Sequence, residues 1–335
     1  MTPTLKGSSD PLARAYDAAL LDLDGVTYRG PEGIPSAAPA LLEAREMGMV
    51  VVFVTNNASR TPEDVAGHLT SLGIEAKPDE VLTSAQVAAT ILAERFDPGE
   101  KVLVVGGPAL RAEVEARGLV VVDTAEDRPA AVVQGWHPDV GWRMLAEGSY
   151  AVEAGALFLA TNRDSTLPSD RGIAPGNGSL VQTIVTATGV EPESAGKPAP
   201  RMFQEAAARV GARAPLVVGD RLDTDIAGAC AAGMDSLLVF TGVHGPSEAV
   251  AARPGERPSY IGADLGALTE PQPSPEALDG AIRVGGAKAR IADGGLVIEG
   301  AEEIDRTRAA CAVSWEAADR RGEGHVEAPP ESGIQ

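Results

Sequence analysis

The chain has 335 residues and a formal net charge of −20, enough for two or three domains, since single cores stop growing near ~250–300 residues. Hydrophobic residues make up 44% but aromatics only 4%, so a sizeable core must rest on Val, Leu, Ile and Ala. The acidity argues against a nucleic-acid or anionic-membrane partner, because no basic surface dominates. An anionic substrate would then need a metal or concentrated cations at its site.

In chain order, Ala18–Asp22 is a short apolar run that ends in acids, and Ser36–Met47 has helical spacing with Ser36 as its N-cap candidate. Val50–Val54 is a continuous β-branched run. Thr61-Pro62-Glu63-Asp64 has the chemistry of a helix start, with Thr61 as cap and Pro62 in the first turn. Strands without alternation, separated by helices, predict a parallel sheet covered on both faces. From about residue 84 the rhythm repeats. Strands are expected at Lys101–Val105, Leu119–Val122, Ala131–Gln134 and Ala156–Ala160, and helices at Ser84–Arg95, Pro108–Arg117, Asp139–Glu147 and Ser179–Thr188. Leu216–Gly219 and Ser236–Phe240 read as strands around a helix at Asp223–Ala232. The fold class is α/β: a doubly wound, Rossmann-like parallel-sheet core (1–83 and 194–269) split by an inserted α/β domain (84–193).

Glu270-Pro-Gln-Pro-Ser-Pro has the composition of a linker. Beyond it, Ala281–Val284, Ala289–Ala292 and Leu296–Glu299 look like short strands and Ile304–Asp319 like a helix, a small α+β extension over 270–335. The polar end, Arg320 to Gln335, is expected to be disordered. Cys230 and Cys311 have no metal or disulfide spacing. With no signal-like start and no apolar run of ~18 residues, a cytoplasmic location is expected.

Four pieces of sequence carry chemistry, each at or beside a strand end, where open α/β sheets bind ligands. In Asp22-Leu23-Asp24-Gly25 the two acids, two apart on a strand, should point the same way. Thr55, Asn56 and Asn57 follow the next strong strand and can donate hydrogen bonds to an anion, although Thr and Asn also build turns there. Lys197, in Gly-Lys-Pro before a helix that Pro198 can open, is a compact cation suited to a phosphoryl oxygen or simply a surface lysine. In Gly219-Asp220-Arg221-Leu222-Asp223-Thr224-Asp225, Asp220 sits at a strand tip, Asp225 falls in the first helical turn and Asp223 reads as an N-cap. Magnesium takes one or two carboxylates and fills its remaining positions with other oxygens; Asp22, Asp220 and the Asp24 carbonyl could hold it. Gly106-Gly107-Pro108 reads as a turn, and His137 carries no assigned role.

Together these pieces resemble the haloacid-dehalogenase superfamily, and the insertion resembles the large α/β cap of its NagD-like branch. The resemblance covers about residues 17–269. Gly219–Ile226, Thr161-Asn162-Arg163-Asp164, Leu167-Pro168 and Gly176-Asn177-Gly178 are similar to glycerol-3-phosphate, phosphoglycolate and pyridoxal-phosphate phosphatases. The resemblance implies a magnesium-dependent phosphatase with Asp22 as nucleophile and Asp24 as general acid and base. Thr55, the Asn56 amide and Lys197 would hold the phosphoryl oxygens, Asp220 the metal, and Asp225 would orient that site from behind. The cap segment Thr161–Ser169, with Asn162 and Arg163, would reach the substrate. The C-terminal module is similar to an extension of some bacterial glycerol-3-phosphate phosphatases, which makes glycerol 3-phosphate the first candidate, ahead of 2-phosphoglycolate and pyridoxal phosphate. Caps of this type often pair, which admits a homodimer. A phosphomutase and a non-catalytic phosphometabolite-binding protein stay open as alternatives.

Overall fold

The computed structural model describes residues 5–169, 171–292 and 295–322. The chain divides into two compact units. The first holds Met1–Phe53, Leu72–Ile74 and Ala206–Gln335; the second holds Val54–Ser71 and Glu75–Glu205.

In the first unit parallel strands lie in the order Tyr260–Gly262, Asp235–Val239, Pro215–Gly219, Ala18–Leu21, Val50–Thr55. The last of these runs on into the second unit at Val54. Ala18–Leu21 is buried throughout, and Leu21 is in register with both Val218 and Phe53. Chain order reverses between Ala18–Leu21 and Pro215–Gly219: later strands are added first on one side and then on the other. A doubly wound sheet opens its ligand crevice at such a switch point, beyond the carboxyl ends of the strands. The strand Tyr260–Gly262 was not foreseen; three residues give too little periodicity to read.

The second unit has its own parallel sheet, in the order Glu193–Ser194, Leu157–Ala160, Ala131–Gln134, Lys101–Val105, Val120–Val122. Its core of Val105, Val132, Phe158 and Ile184 is aliphatic with one aromatic ring. Helix starts follow the sequence. The Asp64 amide donates to Thr61 Oγ1 and the Thr61 amide to Asp64 Oδ2, both at 3.2 Å, the reciprocal cap expected there. Asn177–Thr188 begins two residues earlier than expected, and the larger difference is Trp142–Glu153, which begins three residues later than expected and runs six further. The Asp139 amide donates to His137 Nδ1 at 3.3 Å and the Val140 amide to the His137 carbonyl at 3.1 Å. That turn consumes the residues expected to start the helix.

The C-terminal module belongs to the first unit. Glu276–Leu278, Ala281–Val284, Ala287–Ala292 and Gly295–Glu299 form an antiparallel meander, and Glu303–Arg321 is a helix. The expected linker is tied down rather than loose. Gln272 is buried; its backbone pairs with Ser8, its amide donates to the Ala267 carbonyl at 2.9 Å, and its Oε1 accepts from Arg308 at 2.6 Å. Arg320 and Arg321, expected in a disordered tail, close the last helix; 323–335 lie outside the described residues. Burial pushes both thiols up, Cys311 furthest, which leaves them as small apolar groups. Among the described residues no helix is long and apolar enough to cross a membrane.

Candidate active site

The acidic cluster lies wholly in the first unit. Asp22, Asp220 and Asp225 each place a carboxylate oxygen within 4.8 Å of the others. Asp22 follows the strand Ala18–Leu21 directly, and its amide still donates to the Val218 carbonyl at 2.9 Å. Asp220 follows Pro215–Gly219 and is buried. Asp225 is fully buried on a π-type turn, Leu222–Ile226, rather than in the first turn of the helix Ala227–Ala232. The Arg221 amide donates to Asp225 Oδ2 at 3.2 Å. Asp223, read as an N-cap, instead accepts from Arg221 Nε and Nη2 at 3.0 and 2.8 Å.

Asp24 is placed differently from the strand argument. The strand stops at Leu21, and Asp24 lies on the next turn, bridged to Tyr28. A short hairpin, Tyr28–Arg29 with Glu32–Gly33, follows. Loss of hydration, with the negative charge of Asp22 in addition, raises the Asp24 carboxyl above the usual carboxylate range, against the opposing pull of the Gly30 and Gly25 amides.

A loop that the sequence reading missed backs this cluster. The Val243 amide donates to Asp220 Oδ2 at 2.6 Å, the His244 amide to the Asp220 carbonyl at 3.2 Å, and the Leu222 amide to His244 Nδ1 at 2.8 Å. Thr241 Oγ1 donates to the Gly25 carbonyl at 2.6 Å, and Arg29 Nε to the Thr241 carbonyl. A Cβ on Gly242 would lie 1.9 Å from Asp220 Oδ2, and one on Gly219 2.2 Å from the Asp225 Cβ. Both glycines therefore let backbone pass against a carboxylate. Gly219→Ala should cost about 1–3 kcal/mol as overpacking and weaken magnesium binding; melting curves with and without the ion test this. A variant that melts and binds as the parent does would argue against any part for Asp225 in holding the ion.

The donor set fits magnesium. It is all carboxylate oxygen, which a hard cation prefers, and it lacks the His or Cys that would favour zinc. Asp22 and Asp220 were expected as ligands; Asp225, expected behind them, presents its carboxylate in the same group.

A second cluster lies wholly in the second unit. Lys197, only 3% exposed, donates from Nζ to the Val54 carbonyl at 3.4 Å, and is no surface lysine. Its amide donates to Asn56 Oδ1 at 2.8 Å; Asn56 Nδ2 in turn reaches the Lys197 carbonyl at 3.2 Å and the Asp164 carboxylate at 3.2 and 3.3 Å. The Asn56 side chain thus locks the lysine segment in place. Pro198 does not open the next helix, which starts at Arg201. Thr55 Oγ1 accepts from the Asn57 amide at 3.1 Å, and Asn57 Oδ1 holds Ser59 at 2.8 Å in a turn.

Of the cap residues singled out, Asn162 is buried and donates to the Asn56 carbonyl at 2.7 Å, while Asn177 donates to the Asn162 carbonyl at 2.7 Å. These amides brace the Asn56 loop. Arg163 pairs with Glu191 at 2.7 Å on the surface. The hairpin Thr166–Ser169 with Gly172–Pro175, only its first strand inside the segment singled out, follows them.

This constellation can be set beside known proteins. A profile of haloacid dehalogenase-like hydrolases matches residues 19–120, and a second, HAD-hydrolase-like profile matches 194–268. The D-glycerol 3-phosphate phosphatase of Mycobacterium tuberculosis is 47% identical over 318 residues, covering 91% of this chain and 88% of that protein. An acid sugar phosphatase of Staphylococcus aureus is 37% identical over 232 residues, 69% of this chain and 88% of its own. The crystal structure of a glycerol phosphate phosphatase from M. tuberculosis in complex with magnesium superposes with a TM-score of 0.85 at 45% identity, covering 92% of each chain. The chain belongs to the haloacid dehalogenase-like hydrolases. It is an enzyme of that class.

Proposed function

We propose that this enzyme is a magnesium-dependent phosphatase of small phosphate monoesters, with glycerol 3-phosphate as its first substrate. The convergence of Asp22, Asp220 and Asp225 within 4.8 Å at the switch point carries the reading. Magnesium held by these carboxylates and the Asp24 carbonyl would neutralise charge on the transferring phosphoryl group. Thr55, the Asn56 amide and Lys197 hold the phosphoryl oxygens.

An Asp22 carboxylate oxygen attacks phosphorus in line, and the P–O bond to the leaving alkoxide breaks. Asp24 gives that alkoxide its proton. It then takes a proton from a water whose oxygen attacks the aspartyl phosphate, which releases inorganic phosphate and restores Asp22. Such proton transfer is worth ~10²–10⁴-fold.

Residues 1–83 and 194–269 are assigned to the catalytic core and 84–193 to a cap that selects the ester; the separate parallel sheet of the second unit, most of it within 84–193, supports a distinct cap. The substrate choice rests on the longer of the two matches. A match over 91% of the chain takes in part of the C-terminal module, and it is the one to a glycerol 3-phosphate phosphatase. The test is phosphate release from glycerol 3-phosphate, 2-phosphoglycolate and pyridoxal phosphate with magnesium present. Glycerol 3-phosphate should give the highest kcat/KM. A higher value for another ester overturns the substrate, and no release from any ester overturns the chemistry.

A further inference from the structure

The C-terminal module carries none of the site residues, yet it packs on the segments that hold them. Ile282, Val284 and Ala289 from the meander, with Cys311 and Trp315 from the last helix, share one buried cluster with Leu222 and Ile226. Those two residues begin and end the π-type turn that presents Asp225. Such wide turns are rare and frequently lie at functional sites. The Asp225 and Ile226 amides both converge on the Arg221 carbonyl at 3.1 Å.

The same module grips the loop behind Asp220. Trp315 Nε1 donates to the Ala249 carbonyl at 3.1 Å. The Ala249 amide donates to the Gly245 carbonyl at 3.1 Å, so the turn Pro246–Val250 joins the indole to the loop of Val243 and His244. From there the contacts reach Asp220 and Leu222 directly. The indole is held in turn: the Arg257 guanidinium lies 5.6 Å over its ring and pairs with Asp319 at 2.8 Å.

We infer that the C-terminal module is a positioning device for the metal-binding carboxylates, and that Trp315 is the residue through which it acts on both Asp220 and Asp225. This rests on the reading of that cluster as a magnesium site. A module that only adds stability would lower the melting temperature and leave magnesium affinity alone.

Calorimetric titration of the full-length protein with magnesium separates the two, run where circular dichroism shows each variant folded. Trp315→Phe keeps a ring and removes the donor; its magnesium Kd should rise about threefold or more. Trp315→Ala should raise Kd about tenfold or more. Phe158→Ala, in the core of the other unit, should lower the melting temperature but keep the parent Kd. A parent-like Kd in folded Trp315→Ala overturns the proposal, and a parent-like Kd in Trp315→Phe does so if Trp315→Ala does not fold. Undiminished magnesium binding by Asp220→Asn would instead overturn the metal site itself.

Discussion

Replacing Asp22 by Asn should lower turnover by at least about 10⁴-fold, since removing a nucleophile that acts as part of a unit forfeits most of the catalytic effect. The amide is nearly isosteric, so the fold should survive, and the direction of any stability change follows from charge. Three carboxylates with oxygens within 4.8 Å repel by about 3 kcal/mol per pair at an effective dielectric constant near 20. Without metal, removing one charge should leave the melting temperature unchanged or raise it. The informative result is therefore a pair: lost phosphate release with an unchanged or higher metal-free melting temperature. A purified variant with near-parent activity would remove Asp22 from the chemistry.

Chelation of divalent metal should abolish activity, and added magnesium should restore it. The same repulsion gives this a stability readout. An ion that binds only the folded state adds about 2.7 kcal/mol at a hundred times its Kd, so magnesium should raise the melting temperature and the chelator lower it. In Asp220→Asn the rise should shrink, because one of two buried carboxylates no longer offers an anionic oxygen. Full turnover in rigorously metal-free protein would contradict the role given to the cluster.

The acidic cluster was legible because a strand end is legible. Ala18–Leu21 and Pro215–Gly219 are unbroken apolar runs, and the carboxylates directly after them must emerge where the sheet ends. Their order in the sheet is a tertiary fact, yet βαβ handedness and the chain order leave few arrangements. Asp24 was singled out by strand alternation, but the strand stops at Leu21, and a turn and a hairpin position it instead.

What stayed hidden is of a different kind. Thr241–His244 contributes main-chain amides and a ring nitrogen, and an amide donor leaves no signature in residue type. The only signal was Gly242, whose need for a bare Cα appears once Asp220 is seen against it. Asn162 and Arg163 sit in a segment of cap-like sequence, but their duties, bracing Asn56 and pairing with Glu191, depend on partners far along the chain. Trp315 falls inside the helix expected over Ile304–Asp319, and nothing in that pattern marks it out. Its reach to Ala249 across 66 positions could be known only from the fold.

The central claim is a covalent one: phosphate passes through Asp22. During steady-state hydrolysis of glycerol 3-phosphate, the enzyme can be quenched with borohydride, which reduces an aspartyl phosphate to homoserine, and then mapped by peptide mass spectrometry. Homoserine at position 22, dependent on substrate and magnesium and absent from Asp22→Asn, is the predicted result. Continuing phosphate release with aspartate intact at position 22, or homoserine at another aspartate, would contradict it.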